Sequence, residues 1–188
     1  MKIIAGDSMR ILDFDIENRP LSYWIPDRPT AEITAIAWAW ADKPAEVYCR
    51  LLGRDDPATM LTDFTAAYNA AGMVTGHYIR KHDLPIINGA LMEFGLPLLG
   101  PKLTCDTKLD MVKKSDIPAT QEHLAHMFGI KAQKLHVTQA MWREANRLTP
   151  EGIALTEKRV TMDVKQHMQL RKAMLKAEAL KAPKVWRP

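Results

Sequence analysis

The most informative stretch of the sequence reads Arg10-Ile11-Leu12-Asp13-Phe14-Asp15-Ile16-Glu17-Asn18. It alternates apolar and acidic residues, which is typical of a β-strand because successive side chains point to opposite faces. We predict a strand with Leu12, Phe14 and Ile16 on a buried face and Asp13, Asp15 and Glu17 on the other. Carboxylates two residues apart on a half-buried strand repel one another, so a cation is expected to offset them. A divalent metal is the simplest candidate, although a strand with a solvated polar face has the same pattern.

The length and composition of the chain indicate one globular domain. Its 188 residues are 47% hydrophobic and 26% charged, which is ordinary for a soluble protein with a single core. We expect one domain over residues 1–188, with residues 179–188 as a basic C-terminal tail. No apolar run reaches the roughly 18 residues of a membrane span, and residues 1–7 are too short for a signal peptide, so a cytoplasmic location is expected. The net charge of +4 permits a polyanionic partner.

The order of the predicted elements indicates an α/β fold. Further strands are predicted over residues 32–41, 45–52, 73–77 and 103–106, and helices over 57–72, 83–94, 121–128, 137–147 and 149–182. Three consecutive strands imply an antiparallel meander, whereas the later strand–helix–strand units need parallel crossovers. The sequence therefore predicts a mixed sheet flanked by helices.

Two further carboxylates lie on predicted helices, which fix the direction of their side chains. Asp83 precedes Leu84-Pro85 at a helix start, and a helix N-terminus favours an ionised carboxylate. Asp163 shares one face of the last helix with Arg159 and His167. Asp163 is therefore either a ligand or an acid at the edge of the buried stripe, solvated or paired with one of these two residues.

Three segments together resemble the motifs of the DEDD superfamily, the DnaQ-like 3′→5′ exonucleases of ribonuclease H-like fold. These segments are Phe14-Asp15-Ile16-Glu17, Gly76-His77-Tyr78-Ile79-Arg80-Lys81-His82-Asp83-Leu84-Pro85 and Asp163-Val164. The resemblance covers residues 10–175. It implies a ribonuclease H-like mixed sheet, in which an antiparallel three-stranded meander joins parallel strands and helices flank both.

The resemblance also implies a chemistry. Asp15, Glu17, Asp83 and Asp163 would be the catalytic residues and would hold two divalent ions, Mg²⁺ or Mn²⁺, which prefer oxygen ligands. Two ions roughly 4 Å apart can activate water and stabilise the leaving oxygen. The implied reaction removes nucleoside 5′-monophosphates from the 3′ ends of single-stranded DNA or RNA. Compact stand-alone members of this kind resemble phage-encoded proteins, so we expect a host-cytoplasmic enzyme that proofreads for a polymerase in trans.

One position departs from the family pattern. Members carry a Tyr four residues before the last Asp or a His five residues before it, whereas this sequence has Arg159 and Lys158 there. Arginine cannot act as a base, and lysine needs a strongly lowered pKa. Three explanations are open. In the first, metal coordination alone activates the water, with Lys158 or Arg159 as phosphate contacts. In the second, His167 serves as the base, and in the third most of the activity has been lost. The last alternative predicts a nucleic-acid- or polymerase-binding module, and an endonuclease on the same sheet is a third class.

Other polar residues have structural interpretations. Asp13 lies too far down the strand for the same metals, so we expect it to be hydrogen-bonded or solvated. Asp106-Thr107 follows the last core strand and is expected to be structural. The basic segment from Arg171 to Arg187 is either a solvated helix end or a strip that attracts phosphates.

Overall fold

The chain folds into one mixed sheet with helices on both faces. A computed structural model describes residues 9–20, 31–112, 117–131 and 135–188. The strands are β1 (Ile11–Pro20), β2 (Ala31–Trp40), β3 (Val47–Leu51), β4 (Met73–Gly76), β5 (Lys102–Asp106) and β6 (Lys184–Trp186). The helices of this part of the chain are α1 (Pro57–Ala70), α2 (Asp83–Glu93), α3 (Gln121–Met127), α4 (Gln139–Arg147) and α5 (Pro150–Lys176).

The sheet has six strands in the order β3-β2-β1-β4-β5-β6. β1, β2 and β3 pair antiparallel, whereas β4 is parallel to both β1 and β5. The predicted α/β class, with an antiparallel meander joined to parallel strands, is therefore confirmed. β1 lies near the centre of the sheet, and β4 ends at Gly76 beside Phe14 of β1. The loop that follows β4 can therefore reach the second half of β1.

The two faces of β1 are divided as the alternating pattern predicts. Leu12, Phe14 and Ile16 are buried in the main core, on the face covered by α1 and α2. The Phe14 ring lies 5.0 Å from the Phe64 ring of α1, measured between centroids. Burial of large apolar side chains of this kind is the main favourable contribution to folding. The acidic side chains of β1 therefore face the opposite layer, which is α5.

Small side chains on β2 let α5 approach the acidic face. Directly across from Asp13, Asp15 and Glu17 on β1 stand Ala39, Ala37 and Ala35. These alanines form a second buried cluster with Val160, Val164 and Met168 of α5. Because alanine projects only one carbon from the backbone, the helix packs close to the sheet beside the carboxylates. This packing decides which residues of α5 reach the acids.

A tight turn joins α4 to α5 and brings the backbones of the two helices into close contact. The Thr149 side chain caps α5 by accepting a hydrogen bond from the Gly152 amide at 3.1 Å, with Pro150 in the first turn. A Cβ on Gly152 would lie 2.1 Å from the carbonyl oxygen of Glu144 on α4. A side chain at this position would force the two helices apart.

The C-terminal segment differs from its prediction. The helix predicted to reach residue 182 ends at Lys176, and Glu178 has a left-handed backbone with a φ of 53°. The chain then forms β6, which pairs antiparallel with β5, and the Trp186 side chain is buried in the main core. The prediction was wrong because pairing with an exposed sheet edge is a tertiary event that local helical patterning does not show. None of the helices that the structure describes is long and apolar enough to cross a bilayer.

A buried ion-pair network joins β1 to α5. The Asp13 carboxylate is fully buried and accepts hydrogen bonds from Nδ1 of His167 at 2.9 Å and from Nε and Nη2 of Arg171 at 3.1 and 2.8 Å. Burial alone would raise the pKa of Asp13, but the hydrogen bond and charge of His167 and the charge of Arg171 hold it below its ordinary value. The prediction of a hydrogen-bonded Asp13 is confirmed. Arg171, the first residue of the basic segment that we expected to be solvated or to attract phosphates, is instead buried.

We predict that Asp13→Asn destabilises the fold by about 3 kcal/mol, because it leaves the Arg171 charge buried without its counter-charge. Because the pKa of Asp13 is lower in the folded state than in the unfolded state, the ion pairs of Asp13 stabilise the fold at neutral pH. This stabilisation is lost as the pH falls below about 4. Urea unfolding at pH 7 measures the difference, with the exposed Asp42→Asn as the control. Equal unfolding free energies for the two variants would contradict the prediction.

Candidate metal centre

Three of the predicted site residues converge. Asp15 and Glu17 come from β1 and Asp163 from α5, and each offers a carboxylate oxygen within 4.8 Å of the other two. An all-oxygen donor set of this charge suits a hard divalent cation such as Mg²⁺ or Mn²⁺. The three carboxylates could therefore hold a metal ion.

Asp83 reaches the same region from the neighbouring strand. The chain leaves β4 at Gly76, where a Cβ would lie 2.8 Å from the carbonyl oxygen of Phe14, so only glycine permits this approach to β1. Asp83 then opens α2, and its buried carboxyl is hydrogen-bonded to the backbone at Ile16. Asp83 therefore lies next to β1 between the positions of Asp15 and Glu17, although it is not one of the three mutually close carboxylates.

All four acids line one open pocket. Its volume is about 330 Å³, and its walls come from the ends of β1 and β4, the start of α2, the turn after β5, the start of α3 and the middle of α5. Gln121 of α3 also lines it, and its Nε2 donates to the Asp163 carbonyl at 3.1 Å and to Oε1 of Gln166 at 3.1 Å. α3 therefore fixes the backbone of α5 where that helix presents its carboxylate.

Arg159 occupies the position of the missing tyrosine and is an ion-pair partner of the acids. Its Nε donates to Oε1 of Glu17 at 2.6 Å, and its Nη2 lies 4.0 Å from Oδ2 of Asp163. Its Nη1 donates to the Leu135 carbonyl at 2.9 Å, and the guanidinium lies 5.0 Å from the centre of the Trp142 ring. The guanidinium therefore supplies positive charge to the cluster from within the protein.

The other two residues considered for water activation lie elsewhere. Lys158 is exposed and is not among the residues that line the pocket. His167 is buried, and its Nδ1 is hydrogen-bonded to Asp13 rather than to one of the clustered carboxylates. Among the described residues, its Nε2 has no hydrogen-bond partner. On α5 it is Arg159, and neither of these two, that meets the acidic cluster.

A second carboxylate network shapes the loop between β4 and α2. Asp106 accepts hydrogen bonds from the amides of Tyr78 at 3.0 Å and Arg80 at 3.1 Å, and from the amides of Lys108 and Leu109. The Arg80 guanidinium in turn forms a bidentate pair with the buried Asp110, at 2.9 and 2.6 Å. The structural interpretation of Asp106 agrees with this geometry. Sequence reasoning missed Arg80 and Asp110, and their only signal was opposite charges 30 residues apart.

Burial makes the Asp83 carboxyl hard to ionise. Burial, followed by the negative charges of Asp106 and Glu17, raises the pKa of Asp83 to about 7. The sequence-based expectation of an ionised carboxylate at a helix start considered only the helix dipole. Desolvation outweighs that effect here, so Asp83 is only partly ionised at neutral pH and a bound cation would favour its charged form.

Comparison with known proteins shows the fold alone. No protein-family model matches the chain, and no curated protein matches its sequence. Among solved structures it is similar to the family B DNA polymerase from the hyperthermophilic archaeon Pyrobaculum calidifontis, with a TM-score of 0.64 and 19% sequence identity. The match covers 90% of this chain and 25% of the polymerase chain. The α/β architecture with its mixed sheet is compatible with a ribonuclease H-like fold.

Metal affinity is predicted to rise with pH through neutrality. We propose Asp83 as a further metal ligand. Because only its ionised carboxylate would bind the ion and its pKa is about 7, the Mn²⁺ dissociation constant should fall about tenfold between pH 6 and pH 8. Asp83→Asn should bind more weakly and show a flatter pH dependence. Isothermal titration calorimetry at several pH values measures both effects. An equally steep dependence in the variant would exclude Asp83 as its source.

Arg159→Gln is predicted to tighten metal binding at the cluster. A cation that ligates Glu17 must first break a charge-assisted hydrogen bond, typically worth about 1.5–3 kcal/mol, so the affinity for Mn²⁺ should rise by roughly tenfold. The matched control is Lys158→Gln, which makes the same charge change at the adjacent exposed position. Equal affinities of the two variants would show that Arg159 does not compete with the metal.

Proposed function

We propose that the protein is a metal-dependent 3′→5′ exonuclease that removes nucleoside 5′-monophosphates from single-stranded DNA or RNA. The observation that carries this proposal is the convergence of Asp15, Glu17 and Asp163 within 4.8 Å, with Asp83 in the same pocket. These are the four residues that the resemblance to the DEDD exonucleases selects. They come from three separate elements, so their convergence is not a consequence of sequence proximity.

The four carboxylates are assigned the role of holding two divalent ions, Mg²⁺ or Mn²⁺. When bound, such ions supply the activation of water and the stabilisation of the leaving oxygen that phosphodiester hydrolysis requires. The pocket is open and has the size of a small-ligand site, about 330 Å³, which suits a single terminal nucleotide better than a duplex. Gln121 and Arg159 keep Asp163 and Glu17 in place around it.

No general base is assigned to α5. An arginine such as Arg159 cannot act as a base, Lys158 is exposed outside the pocket lining, and Nδ1 of His167 is hydrogen-bonded to Asp13. We therefore assign His167 to positioning Asp13, and the activation of water would have to come from ions held by the four carboxylates. Arg159 then restrains Glu17 and is the group on α5 best placed to meet a phosphate.

The substrate class is inferred from the fold and the charge of the chain. The structural similarity is to a DNA polymerase, which supports a nucleic-acid strand as the ligand. The net charge of +4 is compatible with a polyanion. We propose single-stranded 3′ ends as the substrate and a separate polymerase as the partner that supplies them.

A second candidate is a nucleic-acid- or polymerase-binding module with little or no activity. The observation that favours it is the ion pair between Arg159 and Glu17, which places a fixed cation against one of the ligands. In this case the guanidinium would replace part of the charge that a metal supplies, and the pocket would bind a strand without cleaving it.

The deciding experiment uses 5′-labelled single-stranded DNA and RNA of one sequence, incubated with Mg²⁺, Mn²⁺ or EDTA. We expect stepwise shortening from the 3′ end that requires a metal. Asp15→Ala should slow it by at least about a hundredfold, because the site loses a ligand. Asp42→Asn, an exposed acid on the loop after β2, is the control and should leave the rate unchanged.

The outcomes separate the two candidates. Shortening that vanishes in EDTA and in the Asp15 variant supports the exonuclease, and the faster of the two substrates identifies the preferred sugar. Strand binding without shortening under any metal condition would refute the exonuclease and favour the binding module. Internal cleavage products in place of stepwise shortening would indicate an endonuclease.

A further inference from the structure

A basic and aromatic wall lines the pocket that holds the four acids. It is formed by Tyr78 from the loop after β4 and Lys108 from the turn after β5, both of which line the pocket and are half-buried. The Lys108 ammonium nitrogen lies 4.0 Å from the centre of the Tyr78 ring, which is the geometry of a cation–π contact. The pocket therefore carries a positioned cation in addition to its carboxylates.

The backbone beneath this wall is strained and firmly held. Tyr78 has a φ of 72°, in the left-handed region that is unfavourable for a non-glycine residue. The carboxylate of Asp106 compensates by accepting hydrogen bonds from the amides of Tyr78 and Lys108, at 3.0 and 3.1 Å. One buried carboxylate thus fixes the backbone of both residues. Strain of this kind is typical of positions that orient a side chain for binding.

The ammonium of Lys108 is available for a ligand. Within the described ranges it forms no salt bridge with a carboxylate, whereas Arg159 is already engaged by Glu17 and Asp163. Lys108 is therefore the pocket cation whose charge no described acid neutralises.

A strand that enters this pocket faces four carboxylates, which repel its phosphates. A cation that belongs to the protein would offset this repulsion before any metal binds. We propose that Lys108, positioned by the Tyr78 ring, forms a phosphate-binding subsite for the backbone of a single-stranded nucleic acid. The inference rests on the proposed function in that it takes a nucleic-acid strand as the ligand, but it requires neither metal nor cleavage. A lysine beside an aromatic ring suits single strands, because phosphate pairing and ring contacts are independent of base sequence.

The test measures binding in EDTA, so that metal and catalysis are absent. Fluorescence anisotropy of a short fluorescein-labelled single-stranded DNA gives the affinity at several salt concentrations. Lys108→Gln should weaken binding about fivefold and reduce the slope of log affinity against log salt by about 0.7, the value for one phosphate contact. Lys158→Gln, the same substitution at an exposed lysine outside the pocket lining, should change neither quantity. Lys108→Arg should restore most of the affinity.

The role of Tyr78 is tested by Tyr78→Gly. Glycine relieves the strain at a φ of 72° but removes the ring, so the unfolding temperature should stay unchanged or rise while strand binding weakens. If Tyr78 acts through Lys108, adding Lys108→Gln to this variant should weaken binding less than it does in the wild type. Lower stability together with full affinity would overturn the positioning role.

The results for the subsite and for the exonuclease are independent. The subsite is overturned if Lys108→Gln binds DNA as tightly as Lys158→Gln, or if the wild-type protein shows no strand binding in EDTA. A Lys108-dependent affinity without cleavage in Mn²⁺ supports the subsite and refutes the exonuclease. Cleavage by a Lys108→Gln protein of unchanged affinity and salt slope supports the exonuclease and refutes the subsite.

Discussion

The structure depends on how α5 packs against three carboxylates that lie on one face of β1. Each acid meets a different group of this helix. Asp13 is buried against His167 and Arg171, Glu17 pairs with Arg159, and Asp15 approaches Asp163. Because like charges on a half-buried strand are unfavourable, the cations of α5 offset Asp13 and Glu17, whereas Asp163 adds a further acid beside Asp15. The network at Asp13 stabilises the fold, and the cluster at Asp15 is the candidate site.

The alanines of β2 make this division possible. Larger residues at Ala35, Ala37 and Ala39 would hold α5 away from the sheet, and Asp163 would then lie too far from the acids of β1. The fourth acid depends on a different contact, since Asp83 reaches β1 only because Gly76 lets the chain turn against the Phe14 carbonyl. The packing that builds the core and the convergence of the site therefore have the same cause, which is the close approach of backbone segments.

The charge distribution of the pocket connects the two proposed roles. Four carboxylates favour cations and disfavour phosphates, whereas Arg159 and Lys108 act in the opposite sense. Arg159 forms ion pairs with Glu17 and Asp163. Lys108 contacts the Tyr78 ring and forms no salt bridge with a described acid. One pocket can thus bind both metal ions and a nucleic-acid strand, because its carboxylates and its Lys108 lie on different walls.

The sequence by itself determined the α/β class and the two faces of β1. These features rest on residue type and local periodicity, which the chain carries wherever it folds. The four candidate acids were selected by the resemblance to the DEDD motifs. Only the tertiary structure decided the rest. It buried Arg171 against Asp13, joined Arg159 to Glu17 across 142 residues, brought Lys108 onto Tyr78 and paired β6 with β5. Contacts between residues distant in sequence depend on strand order and helix approach, and a linear pattern of residues does not specify either one.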